Sequence, residues 1–444
     1  MKTKILIVTD SAAMPTGMAE VTRLIFEGLM RFYPDQYEIE QLGLNHIYAV
    51  HEPKWKVHAT KTSSPGKLDE SDRAGEKSFH EVCDAFKPDV VWAFNDPHRL
   101  DHICVPPGQR KHKLVVYTTI DGFPVPPEFG FLTFADKCVM MSHFAREVFL
   151  RGHHDHRAKQ IEVIYSPADT ERFHPVSEDE KAEIRAGIFP EWMPLDSFVL
   201  GWVGRNQWRK QNWLAYQVIS HLRHGTYMEC VKCDSITILE SVPMPFKEKK
   251  QIQKCRMCDH SGSIHKARPM DNIFLWVHHS KEDRHFDWPY AGLEIPFNVH
   301  QDRDVYYTEG LKHKAALTPD TMPLLYQAWD VLLYLSGGEG FGVPVWEAMS
   351  SALPVIYSDY SSHAELLRRC NSGCPVDGIL QPESGTCIWR MVANVETAIS
   401  AVLSLYRDRV GEKLSGRRSR AFAKTMGIAA QAEKWHNLFR EINQ

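Results

Sequence analysis

Short runs of consecutive apolar residues alternate with longer amphipathic stretches along most of the chain. A run of four to eight apolar residues bounded by turn residues is typical of a buried strand in a parallel sheet. Such strands are predicted at residues 4–9, 37–44, 89–94, 114–119, 137–141, 198–204, 272–277 and 331–335. Helical periodicity predicts helices at residues 19–32, 76–86, 145–151, 213–222, 319–329, 343–351, 362–369, 395–406 and 420–441. The alternation of strand and helix predicts an α/β protein.

One strand is followed by a glycine-rich loop and then by a helix. The loop at residues 337–342 leaves the strand at residues 331–335, and Pro344 stands where a first helical turn tolerates proline. This geometry presents backbone N–H groups and the positive end of a helix to a phosphate. Glu339 and Glu347 repel phosphate, and their carboxylates are better suited to accept hydrogen bonds from sugar hydroxyls. The stretch therefore predicts a ligand that carries both phosphate and sugar.

The segment Glu-Gly-Phe-Gly-Val-Pro-Val-Trp-Glu from Glu339 to Glu347 resembles the Glu-x7-Glu motif of retaining GT-B glycosyltransferases, above all glycosyltransferase family 4. The continuation at residues 348–349, 354–359 and 362–367 is similar to the same family. The resemblance implies a GT-B fold of two Rossmann-like domains facing across a cleft. It also implies transfer of a sugar from a nucleotide sugar to an acceptor hydroxyl, with retention of configuration and no metal at the reaction centre.

The same resemblance assigns donor-binding roles in this segment. Glu347 would bind the nucleotide ribose and Glu339 the hydroxyls of the donor sugar. N–H groups near Gly340 and Gly342 would contact the diphosphate, and Phe341 belongs to the donor-binding loop. UDP-glucose is the expected donor, and a UDP-sugar is favoured over a GDP-sugar.

A second motif follows the predicted strand at residues 198–204. Gly204-Arg205-Asn-Gln-Trp-Arg209-Lys210 resembles the turn in which family 4 enzymes grip the donor diphosphate with an arginine and a lysine. Two cations at the carboxyl end of a strand would neutralise a leaving diphosphate, so Arg205 and Lys210 are predicted to do so. Arg209 is either solvated or a support for the turn.

The first half of the chain resembles the family more loosely. Gly17 lies in the loop after the first strand, where it approaches the donor or forms a plain βα turn. Ile120 occupies the place of the family's histidine, and Asp121 keeps the acid that often follows it. Asp121 is therefore predicted to do the polar work at the reaction centre, with a turn residue as the alternative. The predicted catalytic set is Asp121, Glu339, Arg205 and Lys210.

A chain of 444 residues is long enough for two domains. The resemblance places an acceptor-side Rossmann-like domain at residues 1–175, a linker at 176–196 and a nucleotide-sugar-binding domain at 197–410. C-terminal helices at 411–444 are expected to cross back to the first domain. Residues 51–72 and 278–313 are predicted to be irregular.

An insert at about residues 224–270 departs from the family. Cys230-Val-Lys-Cys233 and Cys255-Arg-Met-Cys258 form two Cys-x2-Cys pairs, a spacing typical of a structural zinc ribbon. Between Arg223 and Arg268 there are nine Lys or Arg and five Asp or Glu, so 9 − 5 = +4. This charge, carried mostly by residues 246–256, is either a solvated face or a docking arm for an anionic acceptor.

Composition limits the remaining possibilities. The hydrophobic content of 43% is ordinary for a globular protein, and no run of about 18 apolar residues predicts a membrane span. The N-terminal apolar run is shorter than a signal peptide, and ten cysteines without such a signal indicate a reducing compartment. We expect a cytoplasmic protein, in the host cytoplasm if it is phage-encoded. The net charge of −4 gives no overall attraction to nucleic acid.

The acceptor stays open at this stage. The patterns at residues 15–23, 121–122 and 204–207 look like family 4 proteins common in phage and bacterial genomes. Some phage glycosyltransferases modify hydroxymethylated bases in DNA, and a basic zinc ribbon would suit such a polyanion. The alternatives are a glycan, a protein or a small molecule. A hypothesis of another class is a non-catalytic nucleic-acid-binding protein on a GT-B scaffold.

Overall fold

The structure is a computed structural model of the full chain. It describes residues 2–46, 49–64, 67–153, 161–239, 255, 257–258, 264–279, 290–308, 321–386 and 388–443. The chain forms two compact units. The first contains residues 1–169, 339–343 and 424–444, and the second contains residues 170–338 and 344–423.

The first unit is built on a seven-stranded sheet in which every neighbouring pair is parallel. Its strands are β1 (Thr3–Asp10), β2 (Tyr37–Leu44), β3 (Lys56–Ala59), β4 (Val90–Asn95), β5 (Lys113–Thr118), β6 (Lys137–Met140) and β7 (Glu162–Val163). Their spatial order is β3-β2-β1-β4-β5-β6-β7. The order reverses direction between β1 and β4, as in doubly wound folds.

Helices cover both faces of this sheet, which explains why its central strands are apolar on both sides. Helices Gly17–Phe32 and Ile428–Ile442 pack on one face through large aromatic rings. Phe26 meets Trp92 with ring centroids 5.0 Å apart, and Tyr117 meets Trp435 at 5.0 Å. Helices Ser78–Phe86 and His143–Gly152 contribute to the hydrophobic core on the other face.

The second unit repeats the same topology in a six-stranded parallel sheet. Its strands are β8 (Phe198–Val203), β9 (Ile273–His278), β10 (Val305–Tyr307), β11 (Val331–Tyr334), β12 (Val355–Ser358) and β13 (Cys374–Val376). The spatial order is β10-β9-β8-β11-β12-β13. Its helices are Glu178–Ile188, Asn212–His224, Tyr290–Phe297, Met322–Ala328, Val343–Ser350, Ser361–Arg369, Val395–Arg407 and Arg409–Thr425, whose last two residues belong to the first unit.

Two predictions of irregular structure are wrong. The irregular stretch predicted at residues 51–72 contains β3, an edge strand whose polar residues Lys56 and His58 hid it. The stretch predicted to be irregular at residues 278–313 contains helix Tyr290–Phe297 and β10, which has only three residues. Residues 176–196 contain helix Glu178–Ile188, and the capping box of Ser177 and Glu180 was its signal in the sequence.

The single helix predicted at residues 420–441 is two helices. Arg409–Thr425 ends before Met426, and Ile428–Ile442 begins after Gly427. The interruption pairs with a distant part of the first unit, because the N–H of Ala168 donates to the carbonyl of Met426 at 2.9 Å. A helix continuing through Met426 would use that carbonyl internally, so the pairing explains the break. No helix among the described residues is long and apolar enough to cross a membrane.

Candidate functional site

The second sheet has its topological switch point between β8 and β11. These two strands are hydrogen-bonded neighbours, with Leu200 opposite Val331. Connections from the two strands diverge to opposite sides, which leaves a crevice at their carboxyl ends where α/β proteins bind ligands. The loop after β8 carries Gly204, Arg205 and Lys210, and the loop after β11 is glycine-rich. The sequence motifs for the donor therefore meet at one edge of the sheet.

The loop after β8 is a compact cationic turn. Arg205 is exposed, whereas Lys210 is 9% exposed at the end of the short 3-10 helix Trp208–Lys210. The ammonium of Lys210 donates to the hydroxyl of Tyr334, the last residue of β11, at 3.1 Å. The lysine side chain thus extends from the loop after β8 to the end of β11, where its ammonium group is hydrogen-bonded to a neutral hydroxyl.

The glycine loop is bound to this turn through its backbone. The N–H of Gly337 donates to the carbonyl of Arg209 at 2.7 Å, and the Arg209 guanidinium donates back to the carbonyl of Gly338 at 3.0 Å. The hydroxyl of Ser336 also donates to the Arg209 carbonyl, at 3.2 Å. Arg209 therefore supports the turn, which was one of its two predicted alternatives.

Glu347 lies on helix Val343–Ser350 and is half-buried. Its Oε2 accepts a hydrogen bond from the hydroxyl of Tyr326 at 2.5 Å. Burial raises the pKa of Tyr326 well above its usual value, and the neighbouring Glu347 carboxylate raises it further. Tyr326 therefore stays protonated and orients the carboxylate. Sequence reasoning missed Tyr326, because nothing in the spacing of helix Met322–Ala328 marks it as a partner of Glu347.

Gly17 is the first residue of helix Gly17–Phe32 in the first unit. Thr16 caps the helix by accepting from the Ala19 N–H at 3.2 Å, and its hydroxyl donates to the Asp10 carboxylate at 2.8 Å. No described atom lies within 4 Å of the position that a Cβ on Gly17 would occupy. Packing within the described residues therefore does not require glycine here, which leaves open space beside the helix N-terminus.

The loop before this helix is held by an arginine that the sequence did not single out. Arg23 is 9% exposed, and its guanidinium donates to the carbonyl of Met14 at 3.1 Å and to that of Ala12 at 2.6 Å. Glu20 forms an ion pair with the same guanidinium. Helical spacing placed Glu20 and Arg23 on one face, but only the fold shows which carbonyls they face.

The first unit also includes the predicted donor loop from Glu339 to Val343. Glu339 and Phe341 are each 4% exposed. A Cβ on Gly340 would lie 2.5 Å from the Thr119 hydroxyl, and Gly342 has φ +94°, so glycine is needed at both positions. The structure thus brings Gly340 against Thr119, two residues before Asp121.

Asp121 is half-buried in the loop that follows β5. Of the predicted site residues, the first unit contains Gly17, Asp121, Glu339, Gly340, Phe341 and Gly342, and the second contains Gly204, Arg205, Lys210 and Glu347. In the first unit, Gly340 lies against Thr119, two residues before Asp121. In the second, Arg209 and Lys210 are hydrogen-bonded to residues 334–338. Their roles remain predictions.

The four predicted metal ligands form a cluster. Their Sγ atoms all lie within 4.8 Å of one another, with Cys230 and Cys258 at 3.8 Å and Cys233 and Cys255 at 3.6 Å. A disulfide would need about 2.05 Å. Four sulfurs placed about 2.3 Å from one tetrahedral ion are about 3.8 Å apart. The separations therefore fit a shared metal ion and not paired disulfides.

The surroundings of the cluster also suit thiolates. A hydrogen bond with the Ser235 hydroxyl, at 3.1 Å, is the largest of the effects that lower the pKa of Cys255 to about 6. The Met257 N–H donates to the same sulfur at 3.4 Å. The cluster stands on a three-stranded antiparallel sheet of Ile236–Ile238, Tyr227–Cys230 and Ile264–Lys266. Apart from Cys255, the predicted basic tract at residues 246–256 lies outside the described residues.

Comparison with known proteins agrees with this arrangement. Residues 308–382 match the family Glycosyl transferases group 1. This segment contains the glycine loop, Glu339 and Glu347. The matching domain and the doubly wound pair of sheets define the chain as a glycosyltransferase with the GT-B fold.

Several solved structures share the fold over nearly their whole length. Sucrose-phosphate synthase from Thermosynechococcus elongatus is 14% identical with a TM-score of 0.70, covering 99% of both chains. HepE from Anabaena, solved in complex with UDP and glucose, is 14% identical with a TM-score of 0.63, covering 99% of this chain and 100% of its own. A glycosyltransferase from Rickettsia africae is 12% identical with a TM-score of 0.65, covering 99% and 98%. A search of curated proteins gave no match.

Proposed function

We propose that the protein is a retaining glycosyltransferase of family 4 that moves a hexose, glucose in the first instance, from a UDP-sugar to an acceptor hydroxyl. One observation carries the proposal: the cationic turn after β8 is hydrogen-bonded to the glycine loop after β11 at the switch point of the second sheet. A crevice lined by cations and backbone amides suits a diphosphate. The Anabaena HepE structure with UDP and glucose supports the choice of donor.

Each residue has a proposed role in this reaction. The bond between the anomeric carbon and the diphosphate breaks, and negative charge collects on the departing phosphate. Arg205 and Lys210 stabilise that charge, together with N–H groups near Gly340 and Gly342. A positioned donor of this kind contributes about 3 kcal/mol to lowering a reaction barrier.

The remaining polar groups orient the donor. Glu347, held by Tyr326, accepts hydrogen bonds from the ribose hydroxyls. Glu339 binds the hydroxyls of the donor sugar, and Asp121 supplies the polar group near the reacting carbon. Both acids belong to the first unit.

A panel of UDP- and GDP-sugars, incubated with DNA and glycan acceptors, tests the activity. Mass spectrometry should find the added hexose, and NMR of the product should show the anomeric configuration of the donor. A product of opposite configuration would exclude the retaining mechanism. Transfer from GDP-sugars alone would exclude the proposed donor.

We also propose that the four-cysteine cluster holds a structural zinc ion, because four thiolates leave no open coordination position. Purified protein should contain about one zinc per chain by elemental analysis. Cys258→Ser should lose it and destabilise the insert, since metal binding and folding are coupled in such sites. The control is Cys83→Ser, which replaces a half-buried cysteine of the first unit and should leave the zinc content unchanged. Zinc-free wild-type protein purified without chelators would contradict the proposal.

For the acceptor we propose a hydroxymethylated base in phage DNA, in a cytoplasmic setting. The support is the excess of four positive charges between Arg223 and Arg268, a segment whose sequence includes the four-cysteine cluster. Each phosphate that the insert neutralises releases counterions, so affinity should fall steeply with salt. Replacing Lys247, Lys249, Lys250 and Lys254 by glutamine should flatten that dependence. Modification of a glycan, a protein or a small molecule with unmodified DNA in the same panel would redirect the proposal.

A further inference from the structure

Gln211, immediately after Lys210, has a backbone conformation that residues other than glycine rarely adopt. Its φ is +47° and its ψ is 42°, and it is 1% exposed. The left-handed region is unfavourable for residues with a Cβ, because the Cβ approaches the following carbonyl. Such strain persists where surrounding structure enforces it, and it often marks a functional site.

The side chain of Gln211 joins two other segments. Its Nε2 donates to the carbonyl of Met391 at 2.6 Å. Met391 lies in the hairpin formed by strands Gly378–Pro382 and Trp389–Ala393, and its own N–H donates to the carbonyl of Gly337 at 3.0 Å. A Cβ on Gly337 would lie 2.5 Å from the Gln211 amide nitrogen, so the amide packs directly on the glycine loop.

Gln211 carries a second unfavourable feature. Its Oε1 is buried and has no hydrogen-bond partner among the described residues. A buried acceptor without a partner is destabilising. Glycine would relieve both costs but would also lose the hydrogen bond to Met391, so the contact made by the amide is what glutamine gains at this position.

We propose that Gln211 is a positioning residue for the donor diphosphate. Its amide fixes the glycine loop and the hairpin, and its left-handed backbone sets where the turn with Lys210 ends and helix Asn212–His224 begins. Arg205, Lys210 and the loop residues Gly337 and Gly338 then hold one relative placement before the donor arrives. This role rests on the proposed function of the cationic turn.

The test separates strain from positioning with two variants. Gln211→Gly removes both the amide and the left-handed strain, whereas Gln211→Met removes the amide but keeps the chain length and the strain. We expect the dissociation constant for UDP to rise about tenfold in both variants by calorimetry, because the donor must then order the turn and the loop when it binds. The donor KM should rise with little change in kcat. The melting temperature should fall in both variants, and it should fall less in Gln211→Gly, because relief of the left-handed strain offsets part of the lost hydrogen bond.

Ala352→Gly is the matched control, because Ala352 lies in the same unit with φ +56°. It should raise the melting temperature and leave UDP affinity unchanged. Wild-type UDP affinity in both Gln211 variants would overturn the positioning role while leaving the proposed function intact. A wild-type protein that binds neither UDP nor GDP would overturn the proposed function and this inference together.

Discussion

The two sheets of the protein share one topology but carry opposite charge at the same topological position. Each reverses strand order after its first strand, between β1 and β4 in one unit and between β8 and β11 in the other. At the first switch point Asp10 ends β1 and Asp96 follows β4, whereas the loop after β8 carries Arg205 and Lys210. The fold therefore supplies a crevice in each unit, and the residues at its edge decide which ligand it suits.

The two units also use their charged groups differently. Asp10 is 9% exposed, and both of its carboxylate oxygens accept hydrogen bonds from the protein, from Thr16 at 2.8 Å and from Asn45 at 2.7 Å. In the second unit, Lys210 and Arg209 donate to the neutral oxygens of Tyr334 and Gly338. The acid of the first unit therefore shapes a loop, whereas the cations of the second unit are the groups proposed to bind the donor diphosphate.

The largest effect is expected from removing the cation of the second switch point. Lys210→Ala should lower turnover by about 100- to 1,000-fold, because a positioned donor to developing charge contributes about 3–4 kcal/mol. Calorimetry should show weaker binding of both UDP and pyrophosphate. Lys413→Ala removes a surface lysine paired with Glu178 and is the control, with unchanged kinetics. Equal UDP affinity in Lys210→Ala and wild type would contradict the proposal that the cations of the second unit bind the donor diphosphate.

At the amino ends of the strands, each unit has an equivalent hydrogen bond between an aspartate and its first strand, and the two aspartates differ in burial. In the first unit Asp89, just before β4, accepts from the Lys4 N–H of β1 at 2.8 Å. In the second, Asp330, just before β11, accepts from the Val199 N–H of β8 at 2.7 Å. Asp89 is exposed, but Asp330 is 6% exposed and pairs with Lys181 and Arg185 at 2.9 and 2.7 Å.

Asp330→Asn should therefore destabilise the second unit by about 3 kcal/mol, because it leaves buried cations without their carboxylate. Asp89→Asn should cost less than about 1 kcal/mol, since its site is solvated. Denaturant unfolding at pH 7 measures both. Equal losses in the two variants would show that burial of the aspartate does not matter.

The same pair predicts a dependence on pH. Burial alone would raise the pKa of Asp330, but Lys181 and Arg185 outweigh it and hold the pKa below its ordinary value of 3.8. The stabilisation is therefore complete above that value and is lost as pH falls through the lower folded-state pKa. Wild-type protein should lose stability in that acidic range, and Asp330→Asn should lose less. An identical acid profile for the two proteins would contradict the assignment.

Much of the fold could be predicted because its strands are buried on both faces. Continuous apolar runs predicted β1, β8, β9 and β11 to within one or two residues, and β2 at its observed bounds. Short or polar elements were missed, since three residues of β10 or the alternating polar residues of β3 carry too little periodic signal. The break at Gly427 was missed because its cause, pairing with Ala168, is remote in the sequence.

The candidate site divides in the same way. Motif residues such as Lys210 and Glu347 stand at fixed distances from glycines, so local sequence singles them out, and their roles stay predictions. Tyr326 and Gln211 act through contacts with residues that are 21 and 180 positions away. Such partners are chosen by the packing of helices and hairpins, which no local pattern records.

A smaller effect is expected in the first unit. Asp10→Asn leaves one of its two donors facing an amide N–H₂, so stability should fall by about 1–2 kcal/mol. UDP affinity should not change, because the acid serves Thr16 and Asn45. Asp35→Asn, which changes an exposed carboxylate paired with Lys2, is the control for both measurements. A drop in UDP affinity as large as that of Lys210→Ala would show that both switch points serve the donor.

The smallest effect should come from Tyr326→Phe, which tests how the second unit reads the nucleoside. The change removes the hydroxyl that donates to Glu347 at 2.5 Å and keeps the buried ring. Loss of one such hydrogen bond is worth about 1 kcal/mol, so UDP affinity should fall about fivefold. Pyrophosphate affinity should stay unchanged, in contrast to Lys210→Ala, which should weaken the binding of both UDP and pyrophosphate. Tyr307→Phe is the matched control, because Tyr307 is also a buried tyrosine that donates to a glutamate, Glu294, at 2.7 Å in the same unit. Tyr307→Phe should lower the melting temperature about as much as Tyr326→Phe does, with no change in UDP affinity. Equal losses of UDP affinity in the two variants would show that the Tyr326 hydroxyl has no specific role in binding the nucleoside.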